Sequence, residues 1–113
     1  MQRQYRLKRR AAFNYVYRKG ERASARDLVL LSARSKEGLK IGLSVSKKVG
    51  NAVTRNRVKR LLREAIRPLE GDINKGYMYV IVAYPSLAGK SYAEVCGAVR
   101  TAFLRAGKLA EGK

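Results

Sequence analysis

A chain of 113 residues is long enough for one domain with one modest core, and 46% hydrophobic residues exclude a compositionally disordered polymer. Lys and Arg number 26 against 8 Asp and Glu, and the resulting +18 points to a polyanionic partner rather than to a merely soluble basic protein. The longest apolar run, Met78 to Tyr84, has strand length and falls far short of the roughly 18 residues of a spanning helix, so nucleic acid is favoured over a membrane.

The N-terminal MQRQYRLKRRAAF is basic but is followed by no apolar region, which excludes a secretory signal. Arg9 to Lys19 (RRAAFNYVYRK) is predicted helical and stops at Gly20, with Phe13, Val16 and Tyr17 sharing a face. Leu28 to Ala33 (LVLLSA) and Leu39 to Ser46 (LKIGLSVS) read as strands, and the intervening SKEG as a hairpin connection. In the second strand Leu39, Ile41, Leu43 and Val45 alternate with small or polar residues, so one face is buried.

Next comes KKVGNAVTRNRVKRLLREAIR, Lys47 to Arg67, where a regular apolar pattern coexists with dense positive charge. Gly50 permits a tight turn, Asn51 or Thr54 can cap a helix, and Pro68 stops it. Val58, Leu61, Leu62, Ala65 and Ile66 recur at helical spacing and form one buried stripe. At about 100° per residue Asn56, Arg60, Arg63 and Arg67 fall opposite it, with Lys59 beside them and Arg55 and Arg57 flanking the stripe near the start. A solvated surface helix would interleave acids at i+4, and here only Glu64 does so. The pattern is therefore read as a phosphate-binding face, Arg presenting a planar fork to phosphate oxygens. The positive end of the helix lies next to Lys47 and Lys48.

Tyr77 to Ala83 (YMYVIVA) reads as a strand buried on both faces and stopped by Pro85. Ser91-Tyr92-Ala93-Glu94 fits a capping box, and Tyr92, Val95, Cys96, Val99 and Phe103 follow at helical spacing up to Gly107. Cys96 reads as a packing residue rather than a nucleophile, and a single cysteine suits a reducing cytosol. Residues around Ala110 to Lys113 read as a loose tail.

This order (helix, strands, helix, strand, helix) implies a small α+β domain, a sheet with helices against it, and has no helix-turn-helix layout. Such sheets present a face to single-stranded RNA, and seven tyrosines are available for stacking, although most, Tyr79 and Tyr92 among them, read as core. No histidine is present, and the acids are scattered, with only Glu70 and Asp72 close. Neither a Cys/His metal constellation nor a Gly-rich phosphate loop occurs, so no catalytic residue and no metal ligand is predicted in the polypeptide.

Ser44 to Arg67, SVSKKVGNAVTRNRVKRLLREAIR, closely resembles the signature of the bacterial ribonuclease P protein component. Arg55-Asn56-Arg57, Lys59-Arg60 and Arg63 are its diagnostic part, and agreement extends to RLKRRAAFNYVYRKG at Arg6 to Gly20 and onward to about Arg105. The resemblance implies a single domain in αβββαβα order, resembling domain 2 of ribosomal protein S5. Its sheet is mainly antiparallel, with a left-handed βαβ crossover through the basic helix, against the usual chirality. It further implies a cytoplasmic RNA-binding subunit that needs no protein partner. The subunit binds an obligatory catalytic RNA, which with Mg²⁺ removes the 5′ leader of precursor tRNA.

By position, Arg55, Asn56, Arg57, Lys59, Arg60 and Arg63 would contact the catalytic RNA, joined by Lys47 and Lys48 at the strand exit and by Arg67 on the basic face. Ser44 and Ser46 are further strand residues within reach of RNA. Phe13 and Tyr17 would line a cleft for the single-stranded leader, although from the residues alone they could equally be a core-facing pair. One departure is that Leu28 to Leu31 is wholly aliphatic, where some members have an aromatic facing the cleft. The competing readings are a non-catalytic structural RNA-binding protein, such as a ribosome-associated module or RNA chaperone, and an autonomous nuclease.

Overall fold

The structure, a computed structural model, describes residues 1–110. Its elements are α1 (Arg10–Lys19), β1 (Glu21–Ala25), β2 (Leu28–Arg34), β3 (Lys40–Ser44), α2 (Ala52–Ile66), β4 (Tyr77–Ala83) and α3 (Tyr92–Arg105), the αβββαβα order. The sheet runs β1-β2-β4-β3, with β1–β2 and β2–β4 antiparallel and β3–β4 parallel.

This order corrects the hairpin expected between β2 and β3. Strand β4 lies between them, so Ser35–Lys36–Glu37–Gly38 carries the chain past the end of β4 instead. The Ser35 hydroxyl donates to the Gly38 carbonyl at 2.7 Å, and Gly38 takes φ 82°, which its missing Cβ permits. The reason lies in side-chain content. Strands β2 and β4 are apolar on both faces and occupy the two middle positions, whereas a β2–β3 hairpin would leave β4 at an open edge.

Strand β1, ERASA, has no apolar alternation of its own. It is held by backbone pairing to β2 through a two-residue turn in which Asp27 adopts φ 72° and its carboxylate accepts from the Ser86 hydroxyl at 2.6 Å. At the other edge, the N-terminal segment runs along β3. Leu7 N–H donates to the Ile41 carbonyl at 2.9 Å, and Gln2 N–H donates to the Glu70 carboxylate at 2.9 Å. Backbone groups that would otherwise template foreign pairing are thus covered.

Alternation along the strands splits the core in two. Leu28, Leu30, Ile41, Tyr79 and Ile81 face α2 and α3, meeting Val58, Leu62, Ile66, Val99 and Phe103. Tyr79 packs edge-on to Phe103 at 5.1 Å between ring centres, and its hydroxyl donates to the Asn74 carbonyl at 2.7 Å. Burial, with the nearby Tyr77 hydroxyl, pushes the Tyr79 phenol well above its ordinary pKa. Val29, Leu31, Ala33 and Val80 face the other way, under α1, with Val16 as their fully buried partner.

Tyr92 is not a core residue. It stands at the start of α3 beyond the sheet, 45% exposed, and its hydroxyl donates to the Glu64 carbonyl of α2 at 3.2 Å. Cys96 is half-buried beside it. The Ser91–Glu94 capping box is present, and Gly107 at φ 70° lets Lys108 N–H close α3 on the Phe103 carbonyl. Ala110, expected to begin a loose tail, instead donates its N–H to the Asp72 carbonyl at 2.9 Å; residues 111–113 lie outside the described residues.

Candidate nucleic-acid interface

Asn51 rather than Thr54 caps α2, its side-chain oxygen accepting from Thr54 N–H at 2.9 Å. Val58, Leu62, Ala65 and Ile66 are buried, while Leu61 is half-buried at the margin of the stripe. On the outward side Lys47, Lys48, Asn56, Arg57, Arg60 and Arg67 are exposed, and Arg55 and Lys59 are half-buried.

The cations of this face are scarcely neutralised. Arg57 donates to the Ala88 carbonyl at 3.1 Å and Arg55 Nε to the Gly50 carbonyl at 3.2 Å, contacts that fix direction without cancelling charge. Arg60 approaches Glu64 at 3.9 Å, but the two side chains are 69% and 56% exposed, so the pair contributes little.

Arg63 departs from the expected placement opposite the apolar stripe. It lies in a seam between α2 and the N-terminal segment, half-buried, with its Nε enclosed and without a hydrogen-bond partner. Burial, with the neighbouring Arg6 guanidinium, holds its pKa below the ordinary arginine value. The segment that creates this seam comes from more than fifty residues earlier in the chain, beyond the reach of helix periodicity.

A cleft of about 570 Å³ opens between α1 and β3, lined by Lys8, Arg10, Phe13, Asn14, Tyr17, Leu43 and Ser44. Phe13 is half-buried and packs against the edge of the Val16 cluster, whereas Tyr17 is 46% exposed, so only Phe13 reaches the core. The Phe13 ring rests on Gly42, where a Cβ would stand 2.5 Å from the ring tip. Sequence reasoning missed this glycine and missed Arg10 and Asn14, although positions 10, 13, 14 and 17 share one helical flank. No β2 residue lines the cleft: Val29 and Leu31 are buried beneath α1, so the aliphatic run noted in that strand does not form its floor.

Cleft and helix meet at one end of β3. From Ser44 in the cleft wall the chain passes buried Val45 to exposed Lys47 and Lys48, then to the Asn51 cap of α2. Among the described residues no three His, Cys, Asp or Glu side chains come together. No helix among the described residues is long and apolar enough to cross a membrane.

The family model described as Ribonuclease P matches residues 1–107. The chain belongs to the ribonuclease P protein family. It is 39% identical over 109 residues to a ribonuclease P protein component of Bacillus cereus, covering 95% of each chain. To that of Clostridium acetobutylicum it is 41% identical over 105 residues, covering 90% of this chain and 88% of the relative.

Among solved structures, a Staphylococcus aureus RNase P protein mutant with defective mRNA degradation activity superimposes with a TM-score of 0.87 at 29% identity, covering 94% of this chain and 91% of that one. RNase P protein from Thermotoga maritima gives 0.80 at 26% identity, covering 95% and 98%. Superposition preserves chirality, so the β3–α2–β4 crossover has the hand found in these ribonuclease P proteins. As a family member the chain is the protein component of an endoribonuclease ribonucleoprotein that processes tRNA.

Proposed function

We propose that the chain binds the catalytic RNA of ribonuclease P through α2 and its approach, using Lys47, Lys48, Arg55, Asn56, Arg57, Lys59, Arg60, Arg63 and Arg67, and holds the single-stranded 5′ leader of precursor tRNA against Phe13 and Tyr17. The observation that carries this is the continuity of a scarcely neutralised cationic helix face with an aromatic cleft at one end of β3. Phosphates are attracted to the first, and bases stack in the second. Mg²⁺ belongs in this reading to the RNA, and the chain's contribution is to bind, orient and neutralise.

Reconstitution tests it. Added to a cognate catalytic RNA at low Mg²⁺, the protein restores precursor-tRNA cleavage; binding without stimulation would instead mark a structural RNA-binding protein. About six neutralised phosphates give a log–log salt slope of roughly −4 to −5, and a flat dependence contradicts a phosphate-driven interface. Arg60→Ala lowers catalytic-RNA affinity by about tenfold, of the order of one charge-assisted contact, without moving the melting temperature.

A second reading, degradation of mRNA by the protein itself, is favoured by the activity ascribed to the Staphylococcus aureus protein. Cleavage of an unstructured mRNA by protein freed of all RNA separates it from the first.

A further inference from the structure

Helix α1 divides its face of the sheet into two grooves. Positions 10, 13, 14 and 17 form the wall of the cleft described above. Positions 11, 12 and 15, on the other flank, face a second cavity of about 470 Å³, with Lys8 just ahead of the helix. Arg3, Arg6, Lys8, Arg9 and Lys40 line it with Tyr15, and Glu37 is the one acid in its wall. An adjoining cavity of about 560 Å³ continues past Tyr15 to Arg34 and Lys36.

Three observations make this groove a binding surface rather than a solvated rim. Among the described residues none of its cations lies within 4.0 Å of a carboxylate. Arg6 lines it too, next to the like charge of Arg63, so positive charge accumulates at this end of the groove. Tyr15 is 37% exposed in the midst of these cations, an aromatic surface that packing does not use.

Two cavities in line suit an extended chain of phosphates better than one compact anion. An aromatic ring set among cations is what a single strand uses to stack a base while its backbone is neutralised. Lys8 lines both the second groove and the Phe13–Tyr17 cleft, so a strand can pass between them over the N-terminal end of α1.

We propose that this groove is a second single-stranded RNA site, which takes the leader nucleotides lying beyond those held in the cleft, with Tyr15 as the stacking surface and Arg3, Arg9 and Lys40 on the phosphates. The assignment rests on the leader cleft of the proposed function. It extends the footprint of the protein on precursor tRNA from one flank of α1 to both.

Holoenzyme assembled from catalytic RNA and full-length protein is titrated with precursor tRNAs carrying a short leader that fills only the cleft or a long one that reaches further. The variant Arg3→Ala/Tyr15→Ala changes two outward side chains, and its melting temperature is checked against the parent. The long-leader substrate is expected to lose about tenfold in affinity, the scale of one lost base stack, while the short-leader substrate keeps its own.

Equal affinity of parent and variant for the long leader overturns the proposal, and Phe13→Ala, weakening both substrates in the same assay, shows that the cleft reading survives it. If Phe13→Ala leaves both substrates unchanged, the cleft reading itself has failed. A variant that assembles more weakly with the catalytic RNA, and loses both substrates alike, overturns the leader assignment by giving the groove to that RNA. Displacement of the long leader by polyglutamate rather than by oligouridylate overturns it in favour of an acidic protein partner.

Discussion

The two faces of the sheet carry similar apolar side chains under different amounts of cover. The grooves lie toward opposite ends of β3, so α1 crosses the strands; these run roughly 17–23 Å at about 3.3 Å per residue, whereas one helix with its side chains is only about 10–12 Å wide. Two helices, α2 and α3, close their face, and Tyr79, Phe103, Leu62 and Ile66 are sealed inside it. One helix, α1, cannot close the other. Val16 seals the middle, and a strip remains open on each side, with Phe13 and Tyr17 along one and Tyr15 along the other. Tyr79 and Phe103 are therefore core under two helices, whereas Phe13, Tyr15 and Tyr17 keep ring surface open beside one.

The largest effect that tests this difference comes from truncating one aromatic on each face. Phe103→Ala empties a fully buried site packed against Tyr79 and is expected to cost about 3–5 kcal/mol, a large share of the 5–15 kcal/mol that holds a domain of this size. Phe13→Ala, half-buried at the edge of a groove, should melt only slightly below the parent while losing most of its leader recognition. Circular-dichroism melts of both variants, set beside leader-binding titrations, check the contrast. Equal losses of melting temperature would mean that the α1 face is as closed as its opposite.

A smaller effect sharpens the description of the open face. Gly42→Ala places a Cβ into the Phe13 ring, with the Leu7 Cβ also near at 3.2 Å, so the ring must swing out of its seat. Overpacking of this kind costs about 1–3 kcal/mol. Leader affinity is expected to fall several-fold with catalytic-RNA affinity unchanged, because α2 lies on the other side of the sheet. If leader affinity is untouched, the Phe13 ring is not part of the surface that holds the leader.

Local signals in the chain were sufficient for much of this. The basic helix, its apolar stripe and the capping box of α3 follow from spacing alone, and the structure bears them out at Val58, Leu62, Ala65 and Ile66 and at Ser91 with Glu94. What failed was long-range. Pairing partners of a doubly apolar strand are not written in its own residues, hence the mistaken β2–β3 hairpin. ERASA has no apolar alternation to mark it as β1 because backbone pairing, not side-chain burial, holds it in place. Periodicity alone sets Arg63 on the exposed side, because helix geometry knows nothing of the N-terminal segment that folds against it. Gly42 gave no signal because its role depends on a ring almost thirty residues away.

The smallest effect concerns the closed face alone. At the start of α3 the Ser91 backbone N–H donates to the Glu94 carboxylate at 2.9 Å, and together with the Ser91 hydroxyl this holds the Glu94 carboxyl below its ordinary pKa. A carboxyl depressed in the folded state adds stability above its unfolded pKa and loses that contribution as pH falls through the folded value. Glu94→Ala should therefore melt slightly below the parent at neutral pH, and the gap should narrow as the medium is acidified below the carboxylate range. A gap that widens with acid would mean that the carboxyl is not depressed by the cap. Because α3 touches neither groove beside α1, leader affinity at neutral pH should stay constant while the melting temperature moves. A loss of leader affinity in Glu94→Ala would show that the closed face does more than support the open one, and that cap and cleft are coupled through the sheet.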